Sequence, residues 1–311
     1  MFDSVELQKR LSLIRGQLGP ATTAFRLVDR PDVTVDHFAG LCVLSFYRVS
    51  DASEERAAAD ALLACEGITS VYLKRRPREA RRAANENADE VSPPLPLAGA
   101  AVEALVAIEN GIQFSIRPTN GLSVGLYLDA REARAWVAKH SAHKTVLNLF
   151  SYTCGFGLAA LRGGATRAVN VDASRKVLDW GENNSELNQL RPERRDFISG
   201  DVFDWLARFA KKHERFDLIV LDPPGFSNAK GQRFSAQRDY AALVTAAQAV
   251  LAPSGLLLAM CNVENLSAAE FEFQVERGLT GRTFAVTDRF SASAVDFSQP
   301  AGLKCIALRV D

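Results

Sequence analysis

The chain has 311 residues, of which 47% are hydrophobic and 24% are charged, and this ordinary globular usage excludes a disordered or fibrous protein. Lysine plus arginine equals aspartate plus glutamate at 37 each, so the net charge of zero gives no overall attraction to nucleic acid. Any surface that binds nucleic acid must therefore be local. No apolar run approaches the ~20 residues of a membrane span, and a soluble cytoplasmic protein without membrane contact is expected.

The first hundred residues alternate between helical and extended patterns. Leu7, Leu11, Ile14 and Leu18 have the spacing of an amphipathic helix, and residues 24–47 read as paired strands. A second helix, a short strand and a Pro-rich segment over residues 85–100 follow. We therefore predict a small α+β domain over residues 1–100, with an accessory or RNA-binding role.

The rest of the chain predicts an α/β domain over residues 101–311, in which residues 101–140 form a leading hairpin and helix. Asn110-Gly111 is a strong hairpin-turn dipeptide. From residue 145, five short apolar runs alternate with helical stretches, which is typical of a parallel sheet covered on both faces. Two closing runs without a helix between them predict an antiparallel pair. The expected sheet has seven strands, of which the last is antiparallel.

The scattered cysteines and histidines predict no metal site and no disulfide framework. No C-x-x-C pair occurs, and the four histidines lack metal-ligand spacing. We expect five reduced thiols: Cys42, Cys65, Cys154, Cys261 and Cys305.

The carboxyl ends of the parallel strands are where an open α/β sheet binds ligands. A glycine-containing turn, "SYTCGFG", follows the first strand, and Asp172 and Asp201 follow the second and third. Asp222-Pro223-Pro224 follows the fourth. A dinucleotide site would need the G-x-G-x-x-G pyrophosphate cradle, which this turn lacks. An adenosine ligand without phosphates fits better, and S-adenosylmethionine is such a ligand.

Several segments together resemble a known family. They are "LNLFSYTCGFG", "NVDASRKVLDWGENNSELN", "DVFDWL", "FDLIVLDPPGFSNAK" and "QRDYAALV". In order and spacing they are similar to class I S-adenosylmethionine-dependent methyltransferases that modify bases of large-subunit ribosomal RNA. The resemblance covers roughly residues 110–310, and "AFRL" and "TVDHFAG" echo the family's smaller preceding domain. It implies a Rossmann-like methyltransferase sheet and an RNA substrate.

The resemblance also implies cofactor-binding residues. In the family, the first-strand loop holds the methionine part, the strand-two acid the ribose and the strand-three acid the adenine, and Arg131 would pair with the methionyl carboxylate. The implied set is Tyr127, Asp129, Arg131, Phe150, Ser151, Tyr152, Thr153, Gly155, Asp172, Asp201 and Asp222. Alternatively, Gly155 and Gly157 are ordinary turn residues, and Asp129, Asp172 and Asp201 are helix N-caps.

The acceptor base depends on a cysteine. Methylation of cytosine carbon five needs a thiolate that first adds to the ring, whereas a ring nitrogen needs only a lone pair. Relatives that make 5-methylcytosine carry a Ser-Cys-Ser pattern after strand five, and aligning "LLLAMCNVEN" with it puts Asn262 at the nucleophile's position. A one-residue offset turns Cys261 to the opposite face of the strand. The guanine-N7 branch of the family has Asn there.

We therefore favour guanine N7, with cytosine C5 second. The catalytic set is then Asp222, Pro223, Pro224 and Asn262. Phe226 would stack on the base, and the polar residues Ser227, Asn228, Lys230 and Arg238 would contact phosphates.

The densest run of basic residues is Lys74 to Arg82. Within it, Arg75, Arg76, Arg81 and Arg82 are candidate RNA contacts, although a solvated helical face is the alternative. Rival functions are a small-molecule methyltransferase and a catalytically silent RNA-binding module, and a nicotinamide dehydrogenase ranks last.

Overall fold

The structure is a computed structural model that describes residues 2–76, 88–229, 232–298 and 302–311. The chain divides into two compact units. The first unit is Met1–Leu128 with Ser293–Gln299, and the second is Asp129–Ala292 with Pro300–Asp311.

The first unit is built on a five-stranded sheet of order β1-β2-β3-β4-β5, in which only the β3–β4 pairing is parallel. Asp3 and Asp51 cap its two long helices, and Leu7, Leu11 and Ile14 are buried as the helical spacing predicts. Its elements are α1 (Ser4–Leu18), β1 (Ala24–Asp29), β2 (Val33–Phe38), β3 (Leu41–Phe46), α2 (Ala52–Leu63), β4 (Ser70–Arg75), α3 (Ala88–Val91), β5 (Ala98–Gly99), β6 (Leu105–Glu109) and β7 (Ile112–Ile116).

The β6–β7 hairpin belongs to this first unit, so the unit extends to Leu128 and not only to about residue 100. The segment before β1 binds the hairpin through its backbone. Thr23 N donates to Ile108 O at 2.7 Å, and Gly111 N donates to Ala21 O at 2.9 Å. A two-stranded hairpin has little stability alone, and these bonds tie it to the first sheet.

The second unit is built on a seven-stranded sheet of order β10-β9-β8-β11-β14-β16-β15. Strand β16 is antiparallel to both of its neighbours and the wound strands are parallel, as predicted. Its elements are α4 (Arg131–His140), β8 (Thr145–Leu149), α5 (Gly155–Arg162), β9 (Arg167–Asp172), α6 (Arg175–Leu187), β10 (Phe197–Ser199), α7 (Val202–Lys211), β11 (Phe216–Leu221), β12 (Phe226–Ala229), β13 (Gln232–Ser235), α8 (Ala236–Gln248), β14 (Leu251–Cys261), α9 (Ala268–Gly278), β15 (Phe284–Phe290) and β16 (Lys304–Val310).

The central strands of this sheet are mainly apolar because helices cover both faces, and the buried polar residues Asn148 and Asn170 bond to each other. Leu147, Val169, Ile219 and Leu257, one from each of four adjacent strands, have no exposed side-chain surface. Among the described helices, none is both long and apolar enough to cross a membrane. The buried strands hold the polar residues at their carboxyl ends in fixed positions.

A segment between β15 and β16 in sequence, Ser293–Gln299, is part of the first unit. Its Asp296 carboxylate is fully buried and accepts a hydrogen bond from Arg26 N at 3.0 Å. The Phe297 ring lies 4.7 Å from the Arg26 guanidinium carbon, and Ser298 N donates to Asp29 at 2.9 Å. These contacts bind the segment, which we call the strap, to β1.

Candidate active site

The strands of the second sheet end at the same level. Leu149 at the end of β8 pairs with Val171 of β9 and with Leu221 of β11, and Leu221 also pairs with Ala259 of β14. Adjacent strands lie about 4.8 Å apart. The residues that follow these pairs are Phe150, Asp172, Asp222 and Met260. The register thus brings the predicted loop and both acidic residues to one edge.

The loop between β8 and α5 holds an unusual backbone conformation without using its glycines. Phe150, Tyr152 and Cys154 have φ of 57°, 48° and 64°, a left-handed region that non-glycine residues seldom adopt. Gly157 lies within α5 and serves packing, because a Cβ there would lie 2.3 Å from Asn170 Oδ1. Strain of this kind is concentrated at functional sites.

Asp172 connects this loop to β9. One carboxylate oxygen accepts from Tyr152 N at 2.9 Å, and the other accepts from Ser174 N at 2.9 Å. Burial raises the pKa of Asp172, and these backbone bonds oppose the rise. A carboxylate has about four acceptor positions, and one that these backbone bonds leave can accept a ribose hydroxyl. The backbone bonds therefore fix the orientation of the carboxylate, and its contact with the ribose stays a prediction.

Asp201 is a helix N-cap, as the alternative interpretation expected. It precedes α7, and its carboxylate accepts from Asp204 N at 3.0 Å. Its neighbour on β10, Ser199, pairs with Asp172, so Asp201 lies near the same edge. Contact with adenine stays a prediction for this residue.

The segment before α4 contains the other predicted cofactor residues. The N-cap position of α4 is Ala130 and not Asp129. Arg131 begins the helix and is only 2% exposed. Tyr127 belongs to the first unit, where its half-exposed side chain places the hydroxyl 2.6 Å from Ser123 Oγ. Their contacts with the cofactor stay predictions.

Asp222 is the most perturbed acid of the edge. Its side chain is partly exposed, and burial together with the Asp129 carboxylate raises its pKa to about 7, against the opposing charge of Arg134. Sequence reasoning missed Arg134, which is 5% exposed. The helical spacing could have revealed it, because Ala130, Arg134 and Val137 occupy one buried face at i, i+4 and i+7.

Residues after β11 and after β14 approach each other. A Cβ on Gly225 would lie 3.1 Å from Val263 Cγ2, so the two loops are in contact. Pro223 is buried and Pro224 is exposed. Asn262, directly after β14, is exposed. Asp222 and Asn262 therefore lie on neighbouring loops at the edge of the sheet.

Cys261 is buried, as the one-residue offset predicts. It is 1% exposed, belongs to the apolar core, and its pKa is raised by that burial. The pairing of β14 with β16 runs residue by residue from Gly255 to Cys261, so no bulge reverses the facing. The other four cysteines, which also lie in the described part of the chain, are buried as well.

The predicted substrate residues lie around the antiparallel hairpin of β12 and β13. Phe226 begins it with 56% of its surface exposed, and Ser227 and Asn228 follow in β12. Arg238 is exposed in the first turn of α8. Lys230 lies outside the described residues.

The basic segment of the first unit differs from expectation. Lys74 is fully buried and donates to Pro118 O at 2.6 Å, to Gly121 O at 2.7 Å and to Ser92 Oγ, so this end of the basic run does not lie on a solvated surface. Burial lowers its pKa to about 8. Arg75 donates to both carboxylate oxygens of Glu55, and Arg76 donates to Leu122 O. Arg81 and Arg82 lie outside the described residues.

Comparison with known proteins relates this geometry to a family. The family of S-adenosylmethionine-dependent methyltransferases matches residues 27–309. The ribosomal RNA large subunit methyltransferase I of Aliivibrio fischeri (strain ATCC 700601 / ES114) is 31% identical over 304 residues, which cover 93% of this chain and 75% of the relative. The protein of that name from Aeromonas salmonicida (strain A449) is 46% identical over 156 residues, which cover 50% of this chain and 39% of the relative.

Solved structures agree with the sequence matches. SMU.776, a methyltransferase complexed with SAH, is 25% identical with a TM-score of 0.83, and the match covers 99% of this chain and 82% of that one. A SAM-dependent methyltransferase from Streptococcus mutans is 26% identical with a TM-score of 0.81 at the same coverage. The chain therefore belongs to the S-adenosylmethionine-dependent methyltransferases and uses that cofactor.

Proposed function

We propose that the chain transfers a methyl group from S-adenosylmethionine to a base of large-subunit ribosomal RNA, and that the base is guanine, methylated at N7. The names of its relatives support the RNA substrate, because proteins called ribosomal RNA large subunit methyltransferase I match over up to 93% of this chain. Ribosomal RNA as substrate also agrees with the expected cytoplasmic location.

The observation that carries the choice of guanine is the burial of every cysteine. Cytosine carbon five needs an accessible thiolate, and the cysteine next to Asn262, Cys261, is 1% exposed within the core. The residue that is exposed there is Asn262, whose amide can donate to and accept from a base edge. A guanine N7 lone pair needs orientation only.

The cofactor side of the proposal rests on the β8 loop and Asp172. Bound S-adenosylmethionine supplies a methyl group on a sulfonium cation. Asp172 would accept the ribose hydroxyls, since its carboxylate is already held by Tyr152 N and Ser174 N. Phe150 to Thr153 and Gly155 would surround the methionine part, Arg131 would pair with its carboxylate, and Asp201 would meet the adenine.

On the acceptor side, Phe226 would stack on the base, an interaction worth about 1–3 kcal/mol in single-stranded RNA. Asn262 and the Pro223-Pro224 backbone would hold the base edge. Methylation at N7 leaves a positive charge on the purine, and the Asp222 carboxylate would balance it. Arg238 would contact phosphate. Arg75 and Arg76 contribute less, because their guanidinium groups already bond within the first unit.

The test uses large ribosomal subunits from a deletion strain, the purified enzyme and isotope-labelled S-adenosylmethionine. The RNA is digested to nucleosides and analysed by mass spectrometry. We expect labelled 7-methylguanosine, and Asp222→Asn as the control should abolish it. Labelled 5-methylcytidine, or a covalent complex with 5-fluorocytosine RNA that Cys261→Ser removes, would overturn guanine in favour of cytosine. Absence of label from the RNA would favour a small-molecule substrate.

A further inference from the structure

The hydroxyl of Tyr240 lies between two strands of the second sheet. Tyr240 belongs to α8 and is fully buried. Its Oη lies 3.1 Å from Leu221 O and 2.8 Å from Met260 O, and it accepts from Met260 N at 2.9 Å. One side-chain oxygen thus bonds the backbone of β11 and the backbone of β14.

The position of this contact matters because the pairing of the two strands ends there. Their ladder ends at the pair Leu221 and Ala259, so Met260 has no further partner on β11. The Tyr240 hydroxyl takes the place of that partner. Asp222 follows Leu221 directly, and Asn262 lies two residues after Met260. The hydroxyl therefore fixes the backbone from which both acceptor-side residues extend.

The phenol is held rigidly and stays neutral. Its ring meets Phe271 edge-on at 4.9 Å and 89°. Burial, with the Cys261 thiol second, raises the Tyr240 pKa well above its usual value, so the hydroxyl keeps its proton. The start of α8 also bonds to the Asp222 loop, because Ala236 N donates to Gly225 O at 3.1 Å. Helix, loop and strand ends thus form one connected unit.

We propose that Tyr240 is a positioning residue for methyl transfer, whose hydroxyl sets the spacing between Asp222 and Asn262 by joining the ends of β11 and β14. The inference rests on the acceptor site of the proposed function. The hydroxyl bonds neither the β8 loop nor Asp172, so its loss should change the cofactor affinity far less than it changes kcat. Misplacement of a reacting group by about 1 Å can lower a rate about 100-fold.

The first unit provides a matched control. Tyr72 of β4 is 1% exposed, its hydroxyl donates to Val102 O at 3.0 Å, and it accepts from Val102 N at 2.8 Å. A Tyr→Phe change at either position removes one buried hydroxyl that bonds a backbone N–H and a backbone carbonyl. The two variants should therefore lose comparable stability.

The experiment compares Tyr240→Phe, Tyr72→Phe and the packing control Phe271→Leu in the full chain. For each variant we would measure kcat and KM with ribosomal RNA, the Kd for S-adenosylmethionine, the Tm, and hydrogen exchange in peptides containing Met260. For Tyr240→Phe we expect kcat to fall about 10- to 100-fold, Kd to stay within about twofold, and Met260 exchange to accelerate about tenfold. Tyr72→Phe should lower Tm and keep kcat. Phe271→Leu, which removes the edge-on ring contact but keeps the hydroxyl, should lower kcat less than Tyr240→Phe does.

Two results would overturn the proposal. One is a kcat for Tyr240→Phe equal to that of Tyr72→Phe, and the other is unchanged exchange at Met260. Failure of the proposed function would give a different result, because the wild-type enzyme would then form a product other than 7-methylguanosine. The kcat ratio would then be measured on that product.

Discussion

The two units of the chain use polar side chains in different ways. In the first unit, Lys74, Arg75 and Tyr72 bond to backbone or to Glu55, so their polar groups are occupied by the fold itself. In the second unit, Asp222 keeps a partly exposed carboxyl with a raised pKa, and Asn262 is exposed. These polar side chains stabilise the first unit, whereas in our proposal Asp222 and Asn262 act on the substrate in the second. A charged residue in a sequence can therefore be assigned to stability or to chemistry only when its hydrogen-bond partners are known.

The sharpest test of this comparison is Asp222→Asn. We expect kcat to fall about 100- to 1000-fold, because a carboxylate aimed at developing positive charge is lost. In the wild type, kcat/KM should rise with pH through about 7 as Asp222 ionises. In the variant, this rise of kcat/KM with pH should be absent. Asp217→Asn is the control, since Asp217 only bonds Thr145 at the opposite end of β11. Full activity of Asp222→Asn would refute the catalytic role of Asp222.

Asp222 should also make the free protein less stable. Its pKa rises from the ordinary 3.8 to about 7 on folding, so between these values the folded state holds a proton that the unfolded chain has lost. The free energy of unfolding therefore falls as pH rises through this window. We expect Asp222→Asn to raise it at pH 8 by a few kcal/mol and to leave it unchanged at pH 3. Denaturant titration at both pH values measures the difference.

Lys74→Ala tests the other side of the comparison. It removes three hydrogen bonds, to Pro118, Gly121 and Ser92, and leaves a cavity. We expect a loss of about 3–5 kcal/mol in the free energy of unfolding with no change in S-adenosylmethionine affinity. Calorimetry and denaturant titration give the two quantities. A stable variant with weakened RNA binding would instead indicate that the Lys74 ammonium is exposed and contacts RNA.

Asp172→Ala should weaken S-adenosylmethionine binding about 100-fold, because charge-assisted bonds to the ribose are worth about 1.5–3 kcal/mol. The change also frees Tyr152 N, so the left-handed loop loses its anchor. Asp201→Ala should have a smaller effect, since part of that carboxylate serves as a helix cap. Isothermal calorimetry decides this, and unchanged affinity for Asp172→Ala would refute the ribose assignment.

Arg238→Ala and Arg75→Ala compare an exposed with an ion-paired arginine. Arg238→Ala should weaken RNA binding several-fold and lower the salt slope by about 0.7–0.9, which corresponds to one phosphate contact. Arg75→Ala should lower stability by about 1 kcal/mol or less and leave the slope unchanged, because its partly exposed pair with Glu55 is local. Equal slopes for both variants would contradict the distinction.

The smallest effect is expected for Cys261→Ser. The thiol lies in the core and not in the site, so kcat should stay within about twofold while Tm falls slightly. Turnover and Tm of the variant measure the two effects. Loss of all turnover would mean that Cys261 reaches the base.

The sequence predicted those parts of the molecule that follow from local pattern. Apolar runs separated by helices predicted the seven-stranded sheet with its antiparallel last strand, which is confirmed. Acidic residues directly after strands placed Asp172 and Asp222 at one edge, because strand ends coincide in a parallel sheet. Strand periodicity of two predicted the burial of Cys261.

The remainder depends on contacts between distant segments. Burial of Lys74 requires the carbonyl acceptors of Pro118 and Gly121, which lie more than forty positions away in the sequence. The sequence pattern around Lys74 does not predict these acceptors. Tyr240 likewise depends on residues outside its own helix, because its partners Leu221 and Met260 lie 19 and 20 positions away. The glycine-containing turn after β8 differs from the sequence interpretation. Its left-handed conformations are adopted by Phe150, Tyr152 and Cys154 and not by its glycines.

The strap has a consequence for the order in which the protein forms. Asp296 and Ser298 bond the backbone or side chains of Arg26 and Asp29, some 270 positions earlier. The ribosome makes the chain from the N-terminus. Strand β1 therefore lacks its hydrogen bonds to Asp296 and Ser298 until some 270 further residues have been synthesised. The first unit to be translated is therefore among the last to be completed. A fragment that ends at Leu128 should consequently be less stable than the same residues in the whole protein.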